Sequence, residues 1–179
     1  MINRKLANDE LGRITLEEFK KATKTPVVVV LDNIRSQFNI GSAFRSSDAF
    51  RIEKIYLCGI CAQPPSAEIH KSGLGAEFSV DWEYFKETCD AIKLLKEAGY
   101  CIISIEQAEH SISLEKIKPN EYDKYALVFG NEVKGVQQEI VDMSDQVWEI
   151  PQSGTKHSLN VSVSIGIVLW ELCKRIHFK

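Results

Sequence analysis

Three short stretches hold residue types able to bind and activate a polar substrate. In the first, Asn39, Gly41 and Arg45 lie close together, and Gly41 and Arg45 are four apart, on one face if the segment is helical. A guanidinium grips a phosphate through a bidentate fork. A glycine beside it costs about 1 kcal/mol of helix stability against alanine. Its missing side chain predicts a substrate backbone drawn up to the arginine. The second stretch, Gly130-Asn131-Glu132-Val133-Lys134-Gly135, sets a carboxylate between two glycines directly after an apolar run. It is no P-loop, because Val136 stands where the lysine of G-x-x-x-x-G-K-[ST] belongs. A dinucleotide G-x-G-x-x-G is also missing, since Gly73-Leu74-Gly75 lacks its third glycine. The third stretch runs Ile150-Pro151-Gln152-Ser153-Gly154-Thr155-Lys156-His157-Ser158-Leu159-Asn160, a polar loop entering an apolar segment. His157 beside Ser158 does not make a hydrolase, because no G-x-S-x-G elbow is present. Taken singly, the first block also fits a surface arginine near a helix-start glycine, and Glu132 also fits a helix-capping neighbour.

The elements that must position these residues are legible from periodicity. Residues 27–31 form a continuous apolar, β-branched run typical of a strand buried on both faces. Further strands are expected at 54–58, 100–105, 125–129 and 146–150. Helices are expected at 15–22, where Thr15-Leu16-Glu17-Glu18 reads as a capping box, at 40–50, and at 137–143. A helix at 86–98 would turn Ala91, Leu94, Leu95 and Ala98 inward and end on Gly99. The closing run from Leu159 to Leu169 is apolar nearly all round and reads as a buried helix, with Ser158 and Asn160 at its unpaired N–H groups. Strands alternating with helices predict an α/β domain with a mainly parallel sheet flanked by helices. In such sheets ligands bind beyond the carboxyl ends of the strands. The loops 32–39, 104–107, 130–135 and 151–160 all fall there.

The 179 residues suffice for one domain with a sizeable core, and 44% hydrophobic with 26% charged residues is an ordinary globular balance. No apolar run reaches membrane-spanning length and the N-terminus has no signal-peptide pattern, so a cytoplasmic, membrane-free protein is expected. A net charge of −3 disfavours strong non-specific nucleic-acid binding by bulk electrostatics. Any such partner must meet a local patch. Arg4, Lys5, Arg13, Lys20, Lys21 and Lys24 supply one, though a solvated charged face has the same composition. Five scattered cysteines fit a reducing compartment. Cys58-Gly59-Ile60-Cys61 has no helix start behind it and no second pair, so buried strand-end thiols are expected and no metal.

Together and in this order, Asn39-x-Gly41-x-x-x-Arg45, Gly130-x-Glu132-x-x-Gly135, and Ile150-Pro151 leading to Ser158-Leu159-Asn160-Val161-Ser162 resemble the three motifs of the SpoU–TrmH family of RNA 2′-O-ribose methyltransferases. The resemblance covers about residues 27–174, and Gln152 stands where the family often has methionine. It implies a C-terminal deep trefoil knot that holds S-adenosylmethionine in a bent form, and a homodimer. It also implies an arm at 1–25 that could touch RNA and a knotted methyltransferase domain at 26–179. Ile105, Glu106, Gly130, Ile150, Pro151, Ser158 and Leu159 would bind the cofactor. Arg45, Asn39, Glu132, Ser158 and Asn160 would form the catalytic set, with tRNA or rRNA as substrate. Two alternatives stay open: a knotted methyltransferase acting on a base, and a non-catalytic RNA-binding factor that keeps the fold.

Overall fold

The structure, a computed structural model, describes residues 3–118 and 123–177. Strand β1 (Thr25–Asp32) is the spine of the sheet. Its side chains alternate between two cores: Val27, Val29 and Leu31 enter one, Val28 and Val30 the other. The same division recurs in β4 (Cys101–Ile105) and β6 (Tyr125–Phe129), which explains why these runs show no polar alternation. With β2 (Ile52–Cys58), β3 (Asp81–Phe85), β5 (Ile112–Ser113) and β7 (Gln146–Glu149), the sheet order is β3-β2-β1-β6-β4-β7-β5. Every pairing is parallel.

Helices cover both faces. On one side lie α2 (Gln37–Ala49), α3 (Ala67–Gly73) and α7 (Val161–His177), whose Ile40, Phe44, Ile69, Val168, Leu169 and Leu172 fill the larger core. On the other lie α5 (Thr88–Glu97) and α6 (Gln138–Met143), contributing Ala91, Ile92, Leu95 and Ile140. Each fully buried aliphatic side chain here contributes roughly 1.5–3 kcal/mol of transfer free energy. The chain winds from β1 outward to β3, then returns past β1 to build β4, β6, β7 and β5. The switch in direction therefore falls between β1 and β6, while the cavity at the carboxyl edge is lined from the ends of β6, β4 and β7.

The capping box at Thr15 is present and opens α1 (Leu16–Lys21), and Gly99 sits in the left-handed region at φ 80° just past α5. Phe19 of α1 is buried in the larger core, so the arm is anchored there, while residues 3–18 lie exposed. Three expectations need correction. The segment 66–85 carries two short helices, α3 and α4 (Ala76–Ser79), followed by edge strand β3, none of them expected. Leu94 and Ala98 are exposed and Ile92 takes the inward place, because α5 presents residues 88, 91, 92 and 95 to the sheet. Finally, α7 starts at Val161, and Val163, Ile167 and Trp170 are 48%, 36% and 51% exposed. An apolar run spread round a helix that touches protein on one side must leave a stripe outside. Among the described residues, no helix is long and apolar enough to cross a membrane.

Candidate active site

At the carboxyl edge, the loop after β6 is folded back on itself. Asn131 N–H donates to the Gly135 carbonyl at 3.0 Å and Gly135 N–H to the Asn131 carbonyl at 2.8 Å. The Asn131 side chain accepts from Val133 and Lys134 N–H at 2.9 and 3.1 Å, and donates to the Asn33 carbonyl at 2.7 Å. Both motif glycines are required by this closure. A Cβ on Gly130 would lie 2.0 Å from Val136 N, and Gly135, at φ 70°, would drive one to 2.3 Å from Glu106 Oε2. Glu106 is therefore a strut: its carboxylate accepts from Val136 N–H at 3.1 Å and Gln107 N–H at 2.9 Å, fixing the β4 and β6 loops together.

Glu132 points to the start of α2. It accepts from the N–H of Arg35 and of Ser36, each at 3.1 Å, and from Asn39 Nδ2 at 3.0 Å. Burial alone would raise the pKa of this carboxyl. Hydrogen bonds from the Arg35 backbone, its own backbone, the Asn39 side chain and the Ser36 backbone outweigh that and hold it below the usual carboxylate range. The positive end of the helix favours the same ionised state. Buried Asn39 then accepts from Asn160 Nδ2 at 3.3 Å. Asn160 caps α7 by accepting from Ser162 N–H at 2.9 Å and Ser162 Oγ at 2.6 Å. Glu132, Asn39 and Asn160 thus form one chain linking all three sequence blocks.

Beside this chain opens a cavity of about 1270 Å³. Ile105, Glu106, Gly130, Glu132, Ile150, Ser158, Leu159 and Asn160 all line it, so most of the expected site residues converge. Aliphatic Ile105, Ile150 and Leu159 offer a slot for a flat ring, and Glu106, Glu132 and Glu149 give the lining a negative character suited to a cation-bearing ligand. Gln107 Nε2 donates to the His157 carbonyl at 2.6 Å and ties the loop 151–160 across the β4 loop. Three expected residues are outside the cavity lining. Asn39 is joined to it only through its hydrogen bonds with Glu132 and Asn160. Pro151 is exposed and outside its lining. Arg45 lies two turns along α2, exposed, in a separate groove with Phe38 and Lys71.

Gly41 also departs from expectation. It is buried against α3, where a Cβ would stand 2.0 Å from Ser72 Oγ and 2.3 Å from the Ile69 carbonyl. Its missing side chain admits a neighbouring helix, not a substrate backbone. Cys58 and Cys61 are buried at the end of β2 as expected. Burial pushes both thiols up, Cys61 to about 11. Two residues that hold the site together lie within the quoted blocks but received no role from the sequence, Asn131 and the Asn160-bound Ser162. An asparagine after a strand-end glycine is a turn signal that could have revealed the first.

Residues 26–170 match the SpoU rRNA Methylase family. A tRNA (guanosine(18)-2′-O)-methyltransferase from Aquifex aeolicus is 30% identical over 160 residues, covering 87% of this chain and 72% of that protein. A 23S rRNA (guanosine-2′-O-)-methyltransferase from Nitrosomonas europaea is 31% identical over 158 residues, covering 88% of this chain and 60% of its own length. Among solved structures, an S-adenosylmethionine-bound rRNA methyltransferase from Sinorhizobium meliloti superimposes with a TM-score of 0.80 at 26% identity, over 90% of this chain and 61% of that one. A parallel α/β sheet carrying these three linked loops at its carboxyl edge has the same fold as that methyltransferase structure. Within that fold, this chain belongs to the SpoU rRNA Methylase family.

Proposed function

We propose that this chain methylates a ribose 2′-hydroxyl of tRNA or rRNA, with S-adenosylmethionine as methyl donor. The observation that carries the reading is the hydrogen-bonded chain Glu132–Asn39–Asn160 at the mouth of the cavity. It ties the arginine-bearing helix to both loops that build the cavity. Relatives whose names specify guanosine 2′-O-methylation supply the reaction class. Ile105, Ile150 and Leu159 would flank the adenine, while Gly130 and Ser158 offer backbone and hydroxyl groups to its edge and the ribose. The bound cofactor supplies an electrophilic methyl group on a positively charged sulfur.

The protein's own part is alignment and charge control. Arg45 holds the phosphate next to the target ribose and stabilises the alkoxide that develops at O2′ as the hydroxyl proton passes to solvent water. A guanidinium stays protonated and is unsuited to removing a proton itself. Arg45 stands outside the cavity of its own chain, which supports a reading in which it serves the cavity of a second subunit. The exposed stripe Val163, Ile167 and Trp170 on α7 supplies an apolar face for that homodimer. The reading includes the trefoil knot. Its support is the contact between segment 105–118 and the chain's last part: Gln107 bonds the His157 carbonyl, and Arg175 donates to the Ile117 and Glu115 carbonyls at 3.1 and 2.8 Å. The basic arm, 1–25, adds RNA contact beyond the domain 26–179. Because Phe19 anchors α1, the arm is tested by Lys5→Glu with Arg13→Glu. RNA affinity should fall while S-adenosylmethionine affinity stays, and loss of both together would reject that division.

Nuclease digestion of RNA labelled by this protein gives the decisive product analysis. The methyl group is expected on ribose in a 2′-O-methylnucleoside. Label recovered on the free base would overturn the reading.

A further inference from the structure

The groove that holds Arg45 carries more than one group suited to RNA. Along α2, Phe38, Ser42, Arg45, Ser46 and Ala49 recur at helical spacing and form one face, with Lys71 of α3 opposite. The groove measures about 440 Å³. The contact of Gly41 with Ser72 and Ile69 locks the two helices, so Arg45 and Lys71 are held on rigid neighbours. Both are exposed, and neither forms an ion pair among the described residues. The acid of α2, Asp48, is engaged by Ser79 Oγ. Phe38 is 55% exposed at the groove's mouth. An aromatic ring beside two uncompensated cations is the combination that receives a single-stranded nucleic acid, with the base stacked and the backbone neutralised.

We propose that this groove is the RNA-strand site flanking the methylated nucleotide, with Lys71 neutralising the phosphate next to the one at Arg45 and Phe38 stacking on an unpaired base. This rests on the function proposed above and extends it to the substrate's conformation: an unpaired loop strand. Lys71 is a positioning residue, remote from the reacting atoms.

The test measures binding of a fluorescein-labelled, unstructured RNA oligonucleotide across a salt series. Lys71→Gln should weaken binding at low salt roughly fivefold and make the slope of log affinity against log salt shallower by about 0.7. Lys71→Arg should restore both. Phe38→Ala should lose roughly five- to a hundredfold in affinity at unchanged slope, and Phe38→Trp should retain it. S-adenosylmethionine binding should be unchanged in all four, which excludes misfolding. Unaltered affinity and slope in Lys71→Gln would overturn the proposal. So would a Phe38→Ala protein that changes sedimenting mass, since the surface would then be an interface between copies of this chain. Wild-type protein with the expected slopes but no methyl transfer to any RNA would sink the activity and leave the groove standing. Methyl transfer with an unaltered KM for RNA in Lys71→Gln would do the reverse.

Discussion

Glu132 accepts three hydrogen bonds from α2 and the turn before it, so its ionised form is part of the fold. Its pKa is depressed in the folded protein, and an unfolded glutamate titrates at about 4.3. Its stabilising contribution is therefore present above that value and lost as pH falls through the lower folded pKa. Glu132→Gln should cost about 1 kcal/mol at neutral pH, discounted for partial exposure, as read from urea midpoints. The gap to wild type should close when both proteins are unfolded below the carboxylate range. A gap that stays constant with pH would show that the charge has no part in it. The motif residues Asn39, Glu132 and Asn160 could be singled out in the sequence because each is a polar type at a strand or helix end. What they do there could not be. Their mutual hydrogen bonds depend on loops about a hundred residues apart meeting at one edge, which no local pattern encodes.

At the scale of elements, the clamp between α2 and α3 does the positioning. Gly41→Ala would press a methyl group into Ser72 Oγ and the Ile69 carbonyl. The backbone oxygen cannot give way as a side chain can, so overpacking should cost about 1–3 kcal/mol and lower the melting temperature. Unchanged thermal stability with reduced RNA turnover would instead favour a substrate contact at this glycine. The buried strands were legible because β1, β4 and β6 face core on both sides and their apolar runs are unbroken. The stretch 66–85 was not. Its helices span seven and four residues, too few for a periodic signal, and β3 is a mostly exposed edge strand without apolar alternation. The reading of α7 failed for a related reason. Hydrophobicity marks surfaces that must be covered, and sequence does not distinguish coverage by the same chain from coverage by another.

For the whole molecule, Arg45 lies in a groove separate from the cavity, and the proposed homodimer would join the two through the exposed face of α7. A site shared in this way makes a definite demand on mixed dimers. Leu159→Arg places a cation in the cavity lining and should abolish S-adenosylmethionine binding, while Arg45→Ala should leave it intact and remove at least about a hundredfold of methyl transfer. In a mixed dimer, one of the two sites would combine an unaltered cavity with an unaltered arginine. The measurement to make is transfer of labelled methyl from S-adenosylmethionine to RNA from cells lacking this protein. It compares each variant alone with the two co-expressed. Neither variant should work alone, and the co-expressed pair should recover about a quarter of wild-type activity. Activity retained by Arg45→Ala alone, or none recovered by a mixture proven to contain mixed dimers, would contradict a site built from two subunits around this arginine.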